Sequence, residues 1–128
     1  MIFIVKLFLI AFFLNLLYEM LHSLLYKTCH EASLPQYIFL MLKGAFFDAF
    51  AITTVFLLCS LLIPELWVIL VFSAILLPLA YIWEINAIKN KRWVYNKNMP
   101  KIAGVGITPL VQLSLTGILS LYIAFNLK

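Results

Sequence analysis

The chain places an amide, a carboxylate and an imidazole inside an apolar segment, the stretch Asn15-Leu16-Leu17-Tyr18-Glu19-Met20-Leu21-His22. Residues three, four, seven and eleven positions apart share one stripe of a helix, and this stripe holds Asn15, Tyr18, Glu19, His22 and Tyr26. A charged group at mid-membrane depth costs roughly 2.5 kcal/mol or more, so it usually turns inward to a partner, a cavity or a ligand. The stretch therefore predicts a membrane-spanning helix with an inward polar site.

Composition extends this interpretation to the whole chain. Of its 128 residues, 66% are hydrophobic and 11% are charged, and the mean hydropathy is +1.10. Soluble domains are roughly 45–50% apolar and about 25% charged, whereas a spanning helix needs about 20 mainly apolar residues. The sequence predicts a single all-α integral membrane domain, a bundle of four transmembrane helices with short loops over residues 1–128. The expected spans are about 2–26, 37–63, 66–88 and 102–125.

Local signals mark the ends and irregularities of these spans. The first segment has neither a basic region before its apolar run nor a small-residue cleavage site after it, so we interpret it as a retained helix rather than a signal peptide. Residues 27–36 read as a loop closed by Pro35, which suits the first turn of the next helix. Pro78 predicts a kink in the third span. Gly104, Gly106 and Pro109 favour a late start of the fourth helix.

The basic residues predict the orientation. Six of the nine lie in the first and third loops: Lys27, Lys89, Lys91, Arg92, Lys97 and Lys101. The positive-inside tendency then places both loops in the cytoplasm and both termini, with Lys6 and Lys128, on the non-cytoplasmic side. Clustering of the basic residues at one membrane edge also means that the net charge of +4 does not indicate nucleic-acid binding.

All four predicted helices contribute polar groups to the cytoplasmic half of the bundle. We therefore predict a polar pocket that opens to the cytoplasm. Its expected proton-handling or catalytic residues are Glu19, Asp48, His22 and Glu84. Its expected ligand-binding residues are Asn15, Lys43, Tyr81, Arg92, Trp93, Tyr95 and Gln112.

Several residues allow more than one interpretation. Glu19-x-x-His22 has the spacing of helix-bundle metal sites, but a second such motif is missing, so a hydrogen-bonded network without metal or other cofactor is favoured. Lys43 either extends to the membrane interface or pairs with a carboxylate. Asp48 either bonds Asn15 or Gln112 on another helix or has a functional role. The basic loop either sets topology or binds lipid headgroups.

A resemblance adds to these inferences. The residues Arg92-Trp93-x-Tyr95, Met99-Pro100 and Gly106-x-x-Pro109-Leu110-x-Gln112 resemble a group of small bacterial four-helix polytopic membrane proteins. The resemblance implies a shared fold in a bacterial inner membrane. It also points to the polar positions Asn15, Glu19 and Glu84 as candidate functional residues. It supplies no reaction.

Three functions fit these observations. The first is binding, and with it acid–base modification, of a membrane-resident lipid or isoprenoid, with apolar walls for the chain. The second is a small dimeric transporter that uses Glu19 or Asp48 as its coupling carboxylate. The third is a structural subunit whose polar face docks a larger partner. Membrane lipids and a second copy of the chain are therefore the expected partners.

Overall fold

The computed structural model describes residues 1–127, and these residues form a bundle of four long helices. In chain order the helices and strands are α1 (Ile2–His22), a 3₁₀ turn (Ser23–Leu25), α2 (Lys27–Glu31), α3 (Leu34–Leu62), a 3₁₀ turn (Glu65–Trp67), α4 (Val68–Lys89), β1 (Lys101–Ile102), β2 (Val105–Gly106) and α5 (Ile107–Asn126). The four long helices, α1, α3, α4 and α5, are each long and apolar enough to cross a membrane. This agrees with the predicted four-span architecture and is consistent with a multi-pass membrane protein.

The long helices run in alternating directions. Phe3 at the start of α1 packs against Phe56 near the end of α3 and Phe125 near the end of α5, with ring centroids 5.8 and 4.9 Å away. Phe56 in turn lies 6.1 Å from Phe72 near the start of α4. Both chain ends therefore lie at one end of the bundle, which we call the terminal end, and the α4–α5 loop lies at the other, the cavity end.

An apolar core fills the terminal end. Its side chains come from all four long helices, and Leu7, Ala11, Ile52, Phe72 and Leu76 are completely buried. A Cβ on Gly117 of α5 would lie 2.9 Å from Leu76 Cδ1, so the missing side chain lets α4 and α5 pack closely.

Helix boundaries differ from the prediction where short local structures occur. Residues 27–36, predicted as a loop, contain the five-residue helix α2. Helix α3 begins at Leu34, with Pro35 in its first turn, as expected for this proline. Ser33 precedes the helix, and its backbone N donates to Gln36 Oε1 in the first turn at 3.0 Å.

The fourth span starts later than its predicted first residue, 102. Strands β1 and β2 pair antiparallel, with Lys101 opposite Gly106 and Ile102 opposite Val105. The two turn residues between them, Ala103 and Gly104, have φ angles of 49° and 80°, as in the tight turns that suit hairpins. This hairpin occupies the chain until α5 begins at Ile107, so the expected late start is confirmed.

Candidate functional site

Polar side chains of all four long helices line one cavity of about 360 Å³ at the cavity end of the bundle. Its polar lining includes Glu19, His22, Lys43, Asp48, Glu84, Arg92, Trp93 and Gln112. The sequence analysis named all eight of these residues, so the fold brings together most of the predicted site. What each of them does there remains a prediction.

The amide of Gln112 on α5 is the centre of the cavity floor. Its Nε2 lies 3.2 Å from Asn15 Oδ1, 3.1 Å from Glu19 Oε1 and 2.7 Å from Asp48 Oδ2. An amide nitrogen carries only two hydrogens, so three acceptors from α1 and α3 compete for two donor positions. Gln112 therefore links three helices, and Asp48 has the interhelical amide partner that sequence reasoning offered as one interpretation.

Asn15 lies behind this floor rather than on it. The residue is completely buried and is not part of the cavity lining. Its Nδ2 donates to Ala11 O at 2.8 Å, and its Oδ1 accepts from Thr116 Oγ1 at 3.0 Å. Asn15 thus supports Gln112 through its Oδ1 from the side of the terminal end, where the buried apolar core begins.

Glu19 and Asp48 form a pair of carboxyl groups next to Gln112. Both groups lie against the same amide nitrogen, with Glu19 Oε1 3.1 Å and Asp48 Oδ2 2.7 Å from Gln112 Nε2. Two like charges close together and away from water disfavour each other, which favours a state in which one of the two carboxyl groups carries a proton. Gly44 makes room for this pair, since a Cβ there would lie 3.1 Å from both Cδ and Oε1 of Glu19.

His22 lies beside the pair on the next turn of α1. Its Nε2 is 3.4 Å from Glu19 Oε2, and its side chain is almost fully buried. Within residues 1–127, Nδ1 of this ring is buried without a hydrogen-bond partner. His22 therefore lies next to Glu19, and one of its ring nitrogens is left without a partner among the described residues.

Glu84 on α4 is held by three donors that converge on a single oxygen. Glu84 Oε1 accepts from Tyr26 Oη at 2.9 Å, Trp93 Nε1 at 3.0 Å and Tyr95 Oη at 2.5 Å. The residue is only 3% exposed. Trp93 and Tyr95 are thus more than interface anchors, because both fix a buried carboxylate from the third loop.

The third loop is fastened to the end of α1 by backbone bonds as well. Lys27 N donates to Val94 O at 2.8 Å, and Asn96 N donates to Leu25 O at 2.9 Å. Val94 N donates in turn to Thr28 Oγ1 at 2.8 Å. These bonds hold the loop over the cavity end and set the positions of Trp93 and Tyr95 against Glu84.

The two tyrosines that bind Glu84 lie outside the four spans and have perturbed acidities. Burial raises the pKa of Tyr95, and its hydrogen bond to Glu84 raises it further. Burial raises the pKa of Tyr26 as well, with a further contribution from the nearby Glu84 charge. Both hydroxyl groups therefore keep their protons and act as donors at neutral pH.

Exposed aromatic side chains of α3 and α4 form part of the cavity wall. Phe47 and Trp83 face each other with ring centroids 6.1 Å apart, and they are 44% and 47% exposed. Arg92 lies over the Trp83 ring at 5.8 Å. Lys43 is also exposed, 5.8 Å from the centre of the Phe39 ring. We call the pair Phe47 and Trp83 the aromatic slot, and the exposed cations Lys43 and Arg92, which also line the cavity, its rim.

Some predicted contacts are replaced by others. Tyr81 is absent from the cavity lining, and its Oη donates to Ala103 O of the hairpin at 3.4 Å. In the described part of the chain, Lys43 has no carboxylate within 4.0 Å, so it takes the interfacial position rather than the paired one. Sequence reasoning missed Trp83 and Phe47 on the cavity, although both aromatic residues flank predicted acidic positions.

None of the protein-family models matches this chain, and no similar protein was found among the curated proteins or the solved structures.

Proposed function

We propose that this chain is a multi-pass membrane protein that binds the polar headgroup of a membrane lipid or isoprenoid in the cavity beside Glu19, Asp48 and Glu84. One observation carries the proposal: a carboxyl-lined cavity has the exposed Phe47 and Trp83, the aromatic slot, in its wall between two helices. A ligand that enters past the aromatic slot keeps its apolar chain among Phe47, Trp83 and the surrounding bilayer. The cavity volume of about 360 Å³ falls in the range of about 300–1,000 Å³ typical of small-molecule sites.

Acid–base chemistry on the bound headgroup fits the same residues. The Glu19–Asp48 pair holds one proton between two carboxyl groups, and Gln112 fixes both groups by its amide. Such a pair can give a proton to a bound ligand or take one from it, which is the role of a general acid–base catalyst. His22, next to Glu19, is placed to replace the proton.

Binding is favoured over transport by what lies beyond the cavity floor. There the buried Asn15 and Thr116 are followed by the apolar core, in which Leu7, Ile52 and Phe72 are fully or almost fully buried. A coupled transporter needs a route from its site to the second membrane surface. The tight packing of this core supports a site that is reached from one side and from the bilayer.

The experiment is native mass spectrometry of gently extracted protein, with lipid analysis of the same sample. We expect a specifically retained lipid in the wild type and its loss in Glu19→Gln and Asp48→Asn. Glu65→Gln is the matched control, because Glu65 is exposed and lies at the terminal end of the bundle, away from the cavity. This control should retain as much lipid as the wild type.

Other outcomes distinguish the remaining functions. A dimer without lipid, together with proton-coupled flux in liposomes, would replace binding by transport. Protein that is unstable alone and becomes stable with a larger partner would favour the structural subunit. Equal lipid retention in the wild type, Glu19→Gln and Asp48→Asn would rule out the proposed site.

A further inference from the structure

We infer that the lipid in this cavity is a phospholipid whose headgroup ends in a primary ammonium group, an inference that rests on the proposed lipid-binding function. It deepens that function by naming the substrate class. Three features of the cavity carry it: an unpaired oxygen on Glu84, carboxyl groups on the floor without a cationic partner, and a pair of cations at the rim.

The first feature is an unpaired oxygen on a deeply buried carboxylate. All three donors to Glu84 bind Oε1, and within residues 1–127 nothing donates to Oε2. Glu84 is 3% exposed, yet Oε2 is not among the polar atoms that are sealed off without a partner. The atom therefore faces the open space of the cavity. An accessible oxygen on an otherwise buried carboxyl group is available to accept a hydrogen bond from a ligand.

The second feature is the charge balance of the floor. Among the described residues, no lysine or arginine lies within 4.0 Å of Glu19, Asp48 or Glu84. The amide of Gln112 is the common donor to Glu19 and Asp48. A ligand group with several N–H bonds and a positive charge would satisfy these acceptors and balance their charge.

The third feature is the separate pair of cations at the rim. Lys43 and Arg92 both line the cavity and both are exposed, while neither forms an ion pair within residues 1–127. Lysine and arginine at such a position bind phosphate groups. The rim is thus suited to an anion, whereas the floor is suited to a cation.

These surfaces match the parts of one class of amphiphile. The cavity is lined by the apolar Phe47 and Trp83, by the cations Lys43 and Arg92, and by the carboxyl groups. A phospholipid with a terminal amine has one part for each of them: acyl chain, phosphate and ammonium. A choline headgroup has a positive charge but no N–H to donate, and a glycerol headgroup donates from hydroxyl groups without the charge. We therefore expect the affinities to fall from ethanolamine to glycerol to choline.

The test uses the full-length protein in nanodiscs with equimolar phosphatidylethanolamine, phosphatidylglycerol and phosphatidylcholine. Retained lipid is measured by native mass spectrometry after release. We expect the ethanolamine lipid to be enriched about tenfold over the choline lipid, as a hydrogen bond to a charged group would give. Glu84→Gln should abolish this enrichment, because its amide would keep one oxygen for the three donors and turn an NH₂ group toward the ligand. Glu65→Gln should keep it.

The rim is tested separately with diacylglycerol as a competitor that lacks phosphate. Lys43→Gln and Arg92→Gln should each lower the preference for phospholipid over diacylglycerol, while Lys97→Gln, at an exposed position of the same loop, should not. Lipid retained without a preference for ethanolamine, or a preference that persists in Glu84→Gln and Asp48→Asn, would overturn the inference but leave the lipid-binding function standing. Absence of any specifically retained lipid would overturn both.

Discussion

Gln112 on α5 donates to Asp48 on α3 at 2.7 Å, which joins two helices that lie diagonally across the bundle. The same amide nitrogen lies within hydrogen-bonding distance of Asn15 and Glu19 on α1. This single side chain therefore connects the buried support of the site with both members of its carboxyl pair.

Replacement of Gln112 should destabilise the protein. Gln112→Leu leaves three acceptors without their shared donor, and we expect the free energy of unfolding to fall by about 1–3 kcal/mol. Gln112→Glu should be worse at neutral pH, since it adds a third acidic group to the pair. Thermal unfolding in detergent measures both effects. Val111→Leu, on an exposed face of the same helix, is the control, and equal stability of the three variants would refute the role given to Gln112.

Gly44→Ala should weaken lipid retention more than stability. The new Cβ would lie 3.1 Å from the Glu19 carboxyl group, so the carboxyl group must shift from the position in which it binds Gln112. The gain from replacing a helical glycine, about 0.5–1 kcal/mol, offsets much of the strain. Native mass spectrometry and thermal unfolding of the same sample separate the two effects.

The matched control for Gly44→Ala is Gly117→Ala in the apolar core. There the added Cβ would lie 2.9 Å from Leu76 Cδ1 and 3.0 Å from Phe72 Cζ. Overpacking of this kind costs about 1–3 kcal/mol, so this variant should lose stability and keep its lipid. The opposite pattern in the two variants would contradict the placement of Glu19.

Tyr95→Phe should loosen the third loop from the cavity. The hydroxyl group donates to Glu84 at 2.5 Å and accepts from Gly106 N at 2.9 Å. We expect a loss of about 1–3 kcal/mol, the range for a buried carboxylate that loses a donor, visible as a lower unfolding temperature. Tyr122→Phe, where the ring is 68% exposed, should be neutral, and an equal loss in both variants would argue against the Glu84 contact.

Alkaline pH should destabilise the protein through the same tyrosine. Burial raises the pKa of Tyr95 in the folded state, whereas an unfolded tyrosine titrates near pH 10. The stabilising contribution is thus complete below about pH 10 and is lost as the pH rises toward the folded-state pKa. Unfolding temperatures measured from neutral to strongly alkaline pH should fall above about pH 10. The fall should be shallower in Tyr95→Phe, and parallel curves would contradict this assignment.

Much of the site could be predicted because helical spacing is a local property. Glu19 and His22 share a stripe of α1, and the depth of Asp48, Glu84 and Gln112 follows from their distance to the loops. Polar groups are costly to expose to lipid, so these side chains are expected to turn toward one another inside the bundle. No knowledge of the packing of the helices was needed for this part of the prediction.

The rotation of each helix within the bundle is not a local property, and there the prediction failed. Tyr81 and Trp83 flank opposite sides of the Glu84 stripe on α4. Trp83 faces α3 and the cavity, whereas Tyr81 faces the hairpin. Which of these two side chains points inward depends on the order of the helices around the bundle. The sequence pattern of a single helix does not determine that order. The hairpin was not predicted, because its strands have only two residues each and give no alternating sequence pattern.

The three-donor attachment of Glu84 sets an order of events during biosynthesis. When Glu84 is added to the growing chain, Tyr26 has already been made, but Trp93 and Tyr95 are still to be synthesised. A chain that ended at Lys89, the last residue of α4, would leave Glu84 with one of its three donors. The attachment of Glu84 is therefore complete only after the loop that follows α4 has been made.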